Sequence, residues 1–270
     1  SARSVVWPCF SLILAIALSG CALIPAGPTV EQLASVQKQY LIDQQQRQNG
    51  LKIWAVSGIV DLETPEETRR TRMELIGLSV DRGRMRIHGP MRQIAGDLVI
   101  NTDWIRLVLP ASRSYVQVPA TIDGLKQLSG LGLSPEMLLP TVLGVADRIV
   151  GADGEKRLPF RTVAGERVRL DWMTGHILER AGTLSDGNPY RVRYQWPEQW
   201  ESHDEISGAV MPKSVEINWG GGEKRQVQLV MRSWHRPEQS SEAVWQRLIT
   251  LPDGFVEGEL PARQEESRAP

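Results

Sequence analysis

The sequence predicts a mainly β fold with α inserts: a curled antiparallel sheet of about eleven strands, an N-terminal helix, and central helices lidding the concave face. Three observations carry this. From Lys52 onward apolar residues recur with a period of two, in runs of roughly 5–10 residues parted by turn signals such as Asp81-Arg82-Gly83 and Asn101-Thr102-Asp103. One stretch, Leu125–Val145, replaces that alternation with dense aliphatic side chains at helical spacing. An open sheet of that many strands curls, and its concave side is where such helices can bury their apolar faces.

Composition narrows the function. The chain has 270 residues, 41% apolar and 23% charged, enough to bury a core. Lys plus Arg number 31 against 32 Asp plus Glu, so a net charge of −1 offers no long-range field to nucleic acid. Two Cys exclude a disulfide-rich scaffold and a Cys-based zinc ribbon. Four scattered His speak against a dedicated His metal site.

The N-terminus reads as an address. Arg3 is followed by the apolar run Phe10–Leu18 and by Ser19-Gly20-Cys21, the layout of a secretory signal peptide over 1–20. The run is too short to span a bilayer core, which takes about 20 apolar residues. Leu18-Ser19-Gly20-Cys21 resembles a bacterial lipobox in all four positions. That resemblance implies cleavage before Cys21, acylation of its thiol and amine, and membrane anchoring by more than one acyl chain. Ala22 after the Cys, where an Asp would favour the inner membrane, implies the outer membrane of a diderm bacterium, periplasmic side. Residues 21–28 form a short tether. Residues 29–260 form the folded domain, and 261–270 a polar tail.

The elements follow in order. Thr29-Val30-Glu31-Gln32 fits a capping box, with Leu33, Val36 and Tyr40 at helical spacing and Gly50 closing the segment. Strands are expected over Ile53–Leu62, with Trp54, Val56, Val60 and Leu62 on one face, and then over Arg70–Val80, Arg84–His88, Gln93–Asn101, Trp104–Leu109 and Ser114–Val118. The arginines on these strands (Arg69, Arg70, Arg72, Arg82, Arg84, Arg86, Arg92) are expected on the solvated convex side, with contact to a partner or a lipid headgroup as the sharper alternative. Two short helices follow, Thr121–Leu131 and Ser134–Leu143, the second with Ser at N-cap and Pro at N1. Gly130, Gly132 and Gly144 punctuate them. Strands resume over Arg161–Ala164, Arg167–Trp172, His176–Leu184, Tyr190–Trp196, Lys213–Trp219 and Lys224–Trp234, and Trp245–Leu251 adds a last short element.

A lipobox, a helix, a Trp opening the first strand with Gly four residues on (Trp54, Gly58), charged-apolar strands, an apolar helical insert bearing Leu133-Ser134-Pro135, and a closing Leu251-Pro252-Asp253-Gly254 together resemble the LolA/LolB-like superfamily. Its members include periplasmic lipoprotein carriers, outer-membrane lipoprotein receptors and uncharacterised lipoproteins. The resemblance spans roughly Val30–Leu260. It implies an unclosed antiparallel half-barrel whose helices lid an apolar cavity for acyl chains, with no enzymatic chemistry and no cofactor. The receptor branch uses an exposed apolar loop residue in transfer, and no residue here is matched to it.

No catalytic signature competes with this. Gly-x-Ser-x-Gly is absent, Glu66-Glu67 and Glu265-Glu266 sit in polar segments, and Gly151–Lys156 lacks the Gly-Lys-Ser/Thr ending of a P-loop. His176 and Glu179 are three apart on an expected strand and so face opposite ways, and His203-Asp204-Glu205 reads as a solvated loop; no metal site follows. The apolar insert is the candidate site. Leu125, Leu128, Leu131, Met137, Leu138, Leu139 and Val142 either plug the core or line a cavity for an apolar ligand. Trp196 and Trp200, in a non-strand segment, are candidates for a rim or partner contact. Two roles remain open. One is a lipid-anchored protein that binds or receives a lipid or lipidated protein. The other is a structural lipoprotein subunit of an envelope complex, its core filled by its own side chains.

Overall fold

The computed structural model describes residues 29–50, 54–65, 67–79, 81–129, 135–146, 149–150, 160–162, 165–171, 173–197, 211–220, 225–235 and 242–258. Helix α1 (Val30–Gly50) opens on the expected capping box: the Thr29 amide donates to Gln32 Oε1 at 2.8 Å, and the Gln32 amide donates back to Thr29 Oγ1 at 3.2 Å. Six strands follow as an antiparallel meander: β1 (Trp54–Glu63), β2 (Thr68–Gly77), β3 (Gly83–His88), β4 (Ile94–Ile100), β5 (Trp104–Leu109) and β6 (Ser114–Pro119). Helices α2 (Ile122–Ser129) and α3 (Pro135–Leu143) interrupt it. A second antiparallel meander contains β7 (Ile149–Val150), β8 (Phe160–Thr162), β9 (Arg167–Leu170), β10 (Ile177–Thr183), β11 (Pro189–Gln195), β12 (Ser214–Trp219) and β13 (Arg225–His235). Helix α4 (Glu242–Ile249) and β14 (Val256–Glu257) follow.

All fourteen strands among the described residues belong to one sheet, ordered β14-β6-β5-β4-β3-β2-β1-β13-β12-β11-β10-β9-β8-β7. The first strand of one meander pairs antiparallel with the last of the other, so β1 and β13 sit at the centre. This seam carries a bulge at Ser57/Gly58. A Cβ on Gly58 would lie 2.4 Å from the Val230 carbonyl oxygen, so the strands can approach there only with glycine in place. That contact is the physical reason for the Gly four residues after Trp54.

The sheet does not close. β14, parallel to β6, is one edge, and β7 is the other. The α2–α3 insert leads from β6, beside the first edge, to β7 at the second, so it carries the chain across the width of the sheet. The core lies between helices and sheet: Val36 and Tyr40 of α1, Leu125 of α2, and Leu138, Leu139, Val142 and Leu143 of α3 pack in one cluster with Trp54, Met73, Ile105, Val192 and Val215 of the sheet. This is the mainly β, helix-lidded open sheet that the sequence predicts.

Three details differ from expectation. Among the described residues the strand count is fourteen rather than about eleven; β7 and β14 have two residues each, too few to show any alternation. The element near Trp245 is a helix, and it covers the outer face. Arg84 Nη1 donates to the Leu248 carbonyl at 2.5 Å and Arg106 Nη1 to the Ile249 carbonyl at 3.0 Å, satisfying carbonyls at the end of α4. Trp245 is buried beneath it. Arg84 is therefore largely covered rather than freely solvated: it also donates from Nε to Asp97 Oδ1 at 2.7 Å and pairs with Asp97 Oδ2 through Nη2.

Candidate functional site

The inner face carries the candidate site, and α3 is its cover. Proline at the first helical position has no N–H to waste, and α3 starts on Pro135 as expected. It ends on Gly144, whose φ of +67° suits glycine, in a Schellman arrangement: the Gly144 amide donates to the Thr141 carbonyl at 3.3 Å and the Val145 amide to the Pro140 carbonyl at 2.8 Å. A side chain at Gly144 would also meet the Trp196 ring at 2.6 Å. Leu138, Leu139, Val142 and Leu143 are all buried, Leu139 to 1% exposure. Leu125 of α2 is fully buried, and Leu128 packs half-buried against the same cluster.

Polar bonds fasten the end of this helix. Arg180 of β10, only 2% exposed, donates from Nη1 to the Val145 carbonyl at 2.9 Å and to Thr141 Oγ1 at 3.3 Å. Its Nη2 donates to both oxygens of buried Glu166, at 2.9 and 2.7 Å. The Tyr190 hydroxyl donates to Glu166 Oε1, and the Tyr194 hydroxyl to the Thr141 carbonyl at 2.9 Å. From α1, Gln44 Oε1 accepts the Ala146 amide at 3.2 Å and the Tyr40 hydroxyl donates to the Ala146 carbonyl at 3.4 Å. Residues 141–146 are thus held by the sheet on one side and by α1 on the other. Among the described residues Arg180 Nε and Gln44 Nε2 have no hydrogen-bond partner, so the fastening is not fully satisfied there.

Electrostatics keep this network in one ionisation state. Burial works against the Arg180 charge, but Tyr194, Glu166 and Tyr190 outweigh it, and the guanidinium pKa stands above its ordinary value. Burial, then the hydrogen bond to Glu166, raises the Tyr190 phenol well above the usual range. Burial pushes Tyr194 up to about 12 against the opposing pull of Arg180. Both phenols remain neutral donors across the physiological range.

Of the expected site residues, Leu125, Leu128, Leu138, Leu139 and Val142 are brought together on the inner face. Leu131, Trp200 and Cys21 lie outside the described residues, as does the Met137 side chain. Trp196 is half-buried; its Nε1 donates to the Ile177 carbonyl at 2.6 Å, and its ring lies 4.6 Å from His176 and 6.1 Å from Tyr194. His176 precedes β10 and faces Asp43 of α1 at 3.4 Å, while Glu179 points outward to Arg169, Arg191 and Arg193. Among the described residues no group of three His, Cys, Asp or Glu is placed to hold a metal ion.

Sequence reasoning missed Arg180 and Glu166. Strict alternation from buried Ile177 would send Arg180 outward and Glu179 inward. A register shift between Ile177 and Glu179 turns Arg180 to the inner face instead. Nothing in the local sequence announces that bulge.

An unclosed antiparallel sheet whose inner face is lidded by an insert running from edge to edge defines a half-barrel class of fold. No protein-family model and no curated protein matches the chain. Solved structures do match in fold. A domain from Vibrio parahaemolyticus assigned to outer-membrane lipoprotein sorting superposes with a TM-score of 0.58 at 13% identity, over 79% of this chain and 98% of that one. A LolA superfamily protein from Nitrosomonas europaea gives 0.51 at 8% identity, over 78% and 98%. A DUF1329 family protein from Desulfovibrio piger gives 0.52 at 8% identity, over 79% and 96%. The chain therefore has the LolA-like fold.

Proposed function

We propose that this chain is a lipid-anchored lipoprotein of the outer membrane, on its periplasmic side, that takes an acyl-bearing ligand (a lipid or a lipidated protein) beneath α3. The observation that carries the reading is how α3 is attached. It covers the inner face with Leu138, Leu139, Val142 and Leu143, yet it is held by side-chain hydrogen bonds at residues 141–146 and not by strand pairing. Lifting it would uncover apolar surface without breaking any ladder of the sheet. The likeness to a lipoprotein-sorting domain supports the same reading. Anchoring at Cys21 fits a receptor better than a shuttle, since eight tether residues reach at most roughly 25–30 Å.

Mass spectrometry of the intact protein with a diacylated lipopeptide tests this. One lipopeptide should be retained per chain, and its retention should fall when the acyl chains are shortened. A protein that retains no lipopeptide at any chain length is a filled structural subunit instead.

A further inference from the structure

The outer face of β1–β3 and β13 bears a cluster of arginines that the inner-face site does not use. Two adjoining clefts meet at Arg72. One, of about 620 Å³, lies between β2 and the Pro90–Arg92 turn and is lined by Arg69, Arg70, Arg72 and Arg92. The other, of about 440 Å³, adds Arg232. Arg69 and Arg70 lean on Glu67 at 2.7 Å and Asp61 at 3.4 Å. Arg72, Arg92 and Arg232 are exposed and make no ion pair or side-chain hydrogen bond among the described residues. The one acid among the described residues lining either cleft, Glu74, is already engaged by His88 at 3.3 Å and Arg86 at 3.7 Å. The other half of the sheet has a superficially similar cleft with Arg167, Arg191, Arg193 and Arg225, but there Glu179 stands 3.5 and 3.7 Å from Arg191 and Arg193, and Glu216 stands 3.6 Å from Arg193. Three exposed arginines without an ion pair among the described residues thus meet at the first pair of clefts, against Arg167 alone at the other.

The rim has an unusual shape. Met91 and Arg92 take φ of 61° and 63° in succession, left-handed backbone that neither residue favours. The turn this produces leaves Met91 92% exposed on the lip of the larger cleft. Planar guanidinium groups match phosphate oxygens in paired hydrogen bonds, and an apolar tip beside them suits a boundary between headgroups and acyl chains. With a net charge of −1 on the whole chain, the attraction acts only within a Debye length of about 8 Å, which favours a dense anionic surface in direct contact.

We propose that the clefts around Arg72, Arg92 and Arg232 bind the phosphate of anionic phospholipid headgroups and dock this face of the sheet on a membrane surface. The site is separate from the inner face, so it stands or fails independently of the acyl-ligand reading.

The test is vesicle flotation of the full chain, comparing phosphatidylcholine vesicles with vesicles containing about one quarter phosphatidylglycerol. Any N-terminal lipid contributes alike to both, so the ratio of the two affinities reports the clefts. The ratio should fall by about fivefold for each engaged arginine removed in Arg72→Gln/Arg92→Gln/Arg232→Gln, and should fall less when the same three become Lys, which keep the charge but lose the paired hydrogen bonds. The matched variant Arg167→Gln/Arg191→Gln/Arg193→Gln should leave it unchanged. An equal fall in both Gln triples, or none in the first, overturns the proposal. So does full competition by millimolar inorganic phosphate, which would mark a site for a free anion.

Discussion

Replacing Arg180 with Met probes how the cover is held. Arg180 supplies four hydrogen bonds in a site nearly closed to water: two to Glu166, one to Thr141 and one to the Val145 carbonyl. Methionine fills much of the volume but leaves the Glu166 carboxylate buried at 4% exposure with Tyr190 as its remaining donor. Breaking one side of a buried pair costs about 3–5 kcal/mol, because an uncompensated charge stays behind. Removing Glu166 as well, in Arg180→Met/Glu166→Leu, should recover a large part of that loss, since neither charge then needs desolvation. The loosened end of α3 should not recover. Urea titration followed by Trp fluorescence gives the stabilities, and amide exchange at Ala146 reports the fastening. A loss below about 1 kcal/mol in the single variant, or an Ala146 amide as protected as in the parent, would show that Arg180 does not hold α3.

Other outcomes follow from the same geometry. Gly58→Ala sets a methyl against the Val230 carbonyl at the seam of the two meanders and should cost about 1–3 kcal/mol, read as a lower unfolding midpoint; an unchanged midpoint would mean the seam can spread freely. Tyr194 has a folded pKa of about 12, above the ordinary 10.0, so its contribution to stability should be complete below about pH 10 and disappear as pH rises toward 12. Tyr194→Phe should flatten that part of the pH–stability profile, and an equally steep fall without the phenol would assign it elsewhere. Cys21→Ala should abolish incorporation of labelled fatty acid; retained labelling would move the anchor to another residue.

How much of this was legible depends on whether the cause was local. The capping box of Thr29 and Gln32, the bounds of β5 and the Pro135 start of α3 are written in neighbouring residues, and they appear where the sequence places them. The apolar insert was legible as a cover because so many aliphatic side chains must be buried somewhere. Gly58 was visible as a position, but its reason lies on β13, 172 residues away in the chain (230 − 58). Arg84 looked solvated because the Leu248 carbonyl it satisfies comes from the far end of the domain. Arg180 was hidden most completely, since one irregular residue pair in β10 reverses the face on which it falls.

The decisive measurement is photo-crosslinking at Leu139. A benzophenone side chain placed there, at the most buried described position of α3 after Leu143, is compared with one at Met173, 90% exposed in a turn. Each protein is incubated with a radiolabelled diacylated lipopeptide and irradiated. If α3 covers an acyl-binding inner face, position 139 should label with the lipopeptide and position 173 should not. Labelling at neither position, or equally at both, would contradict an acyl-ligand site beneath α3.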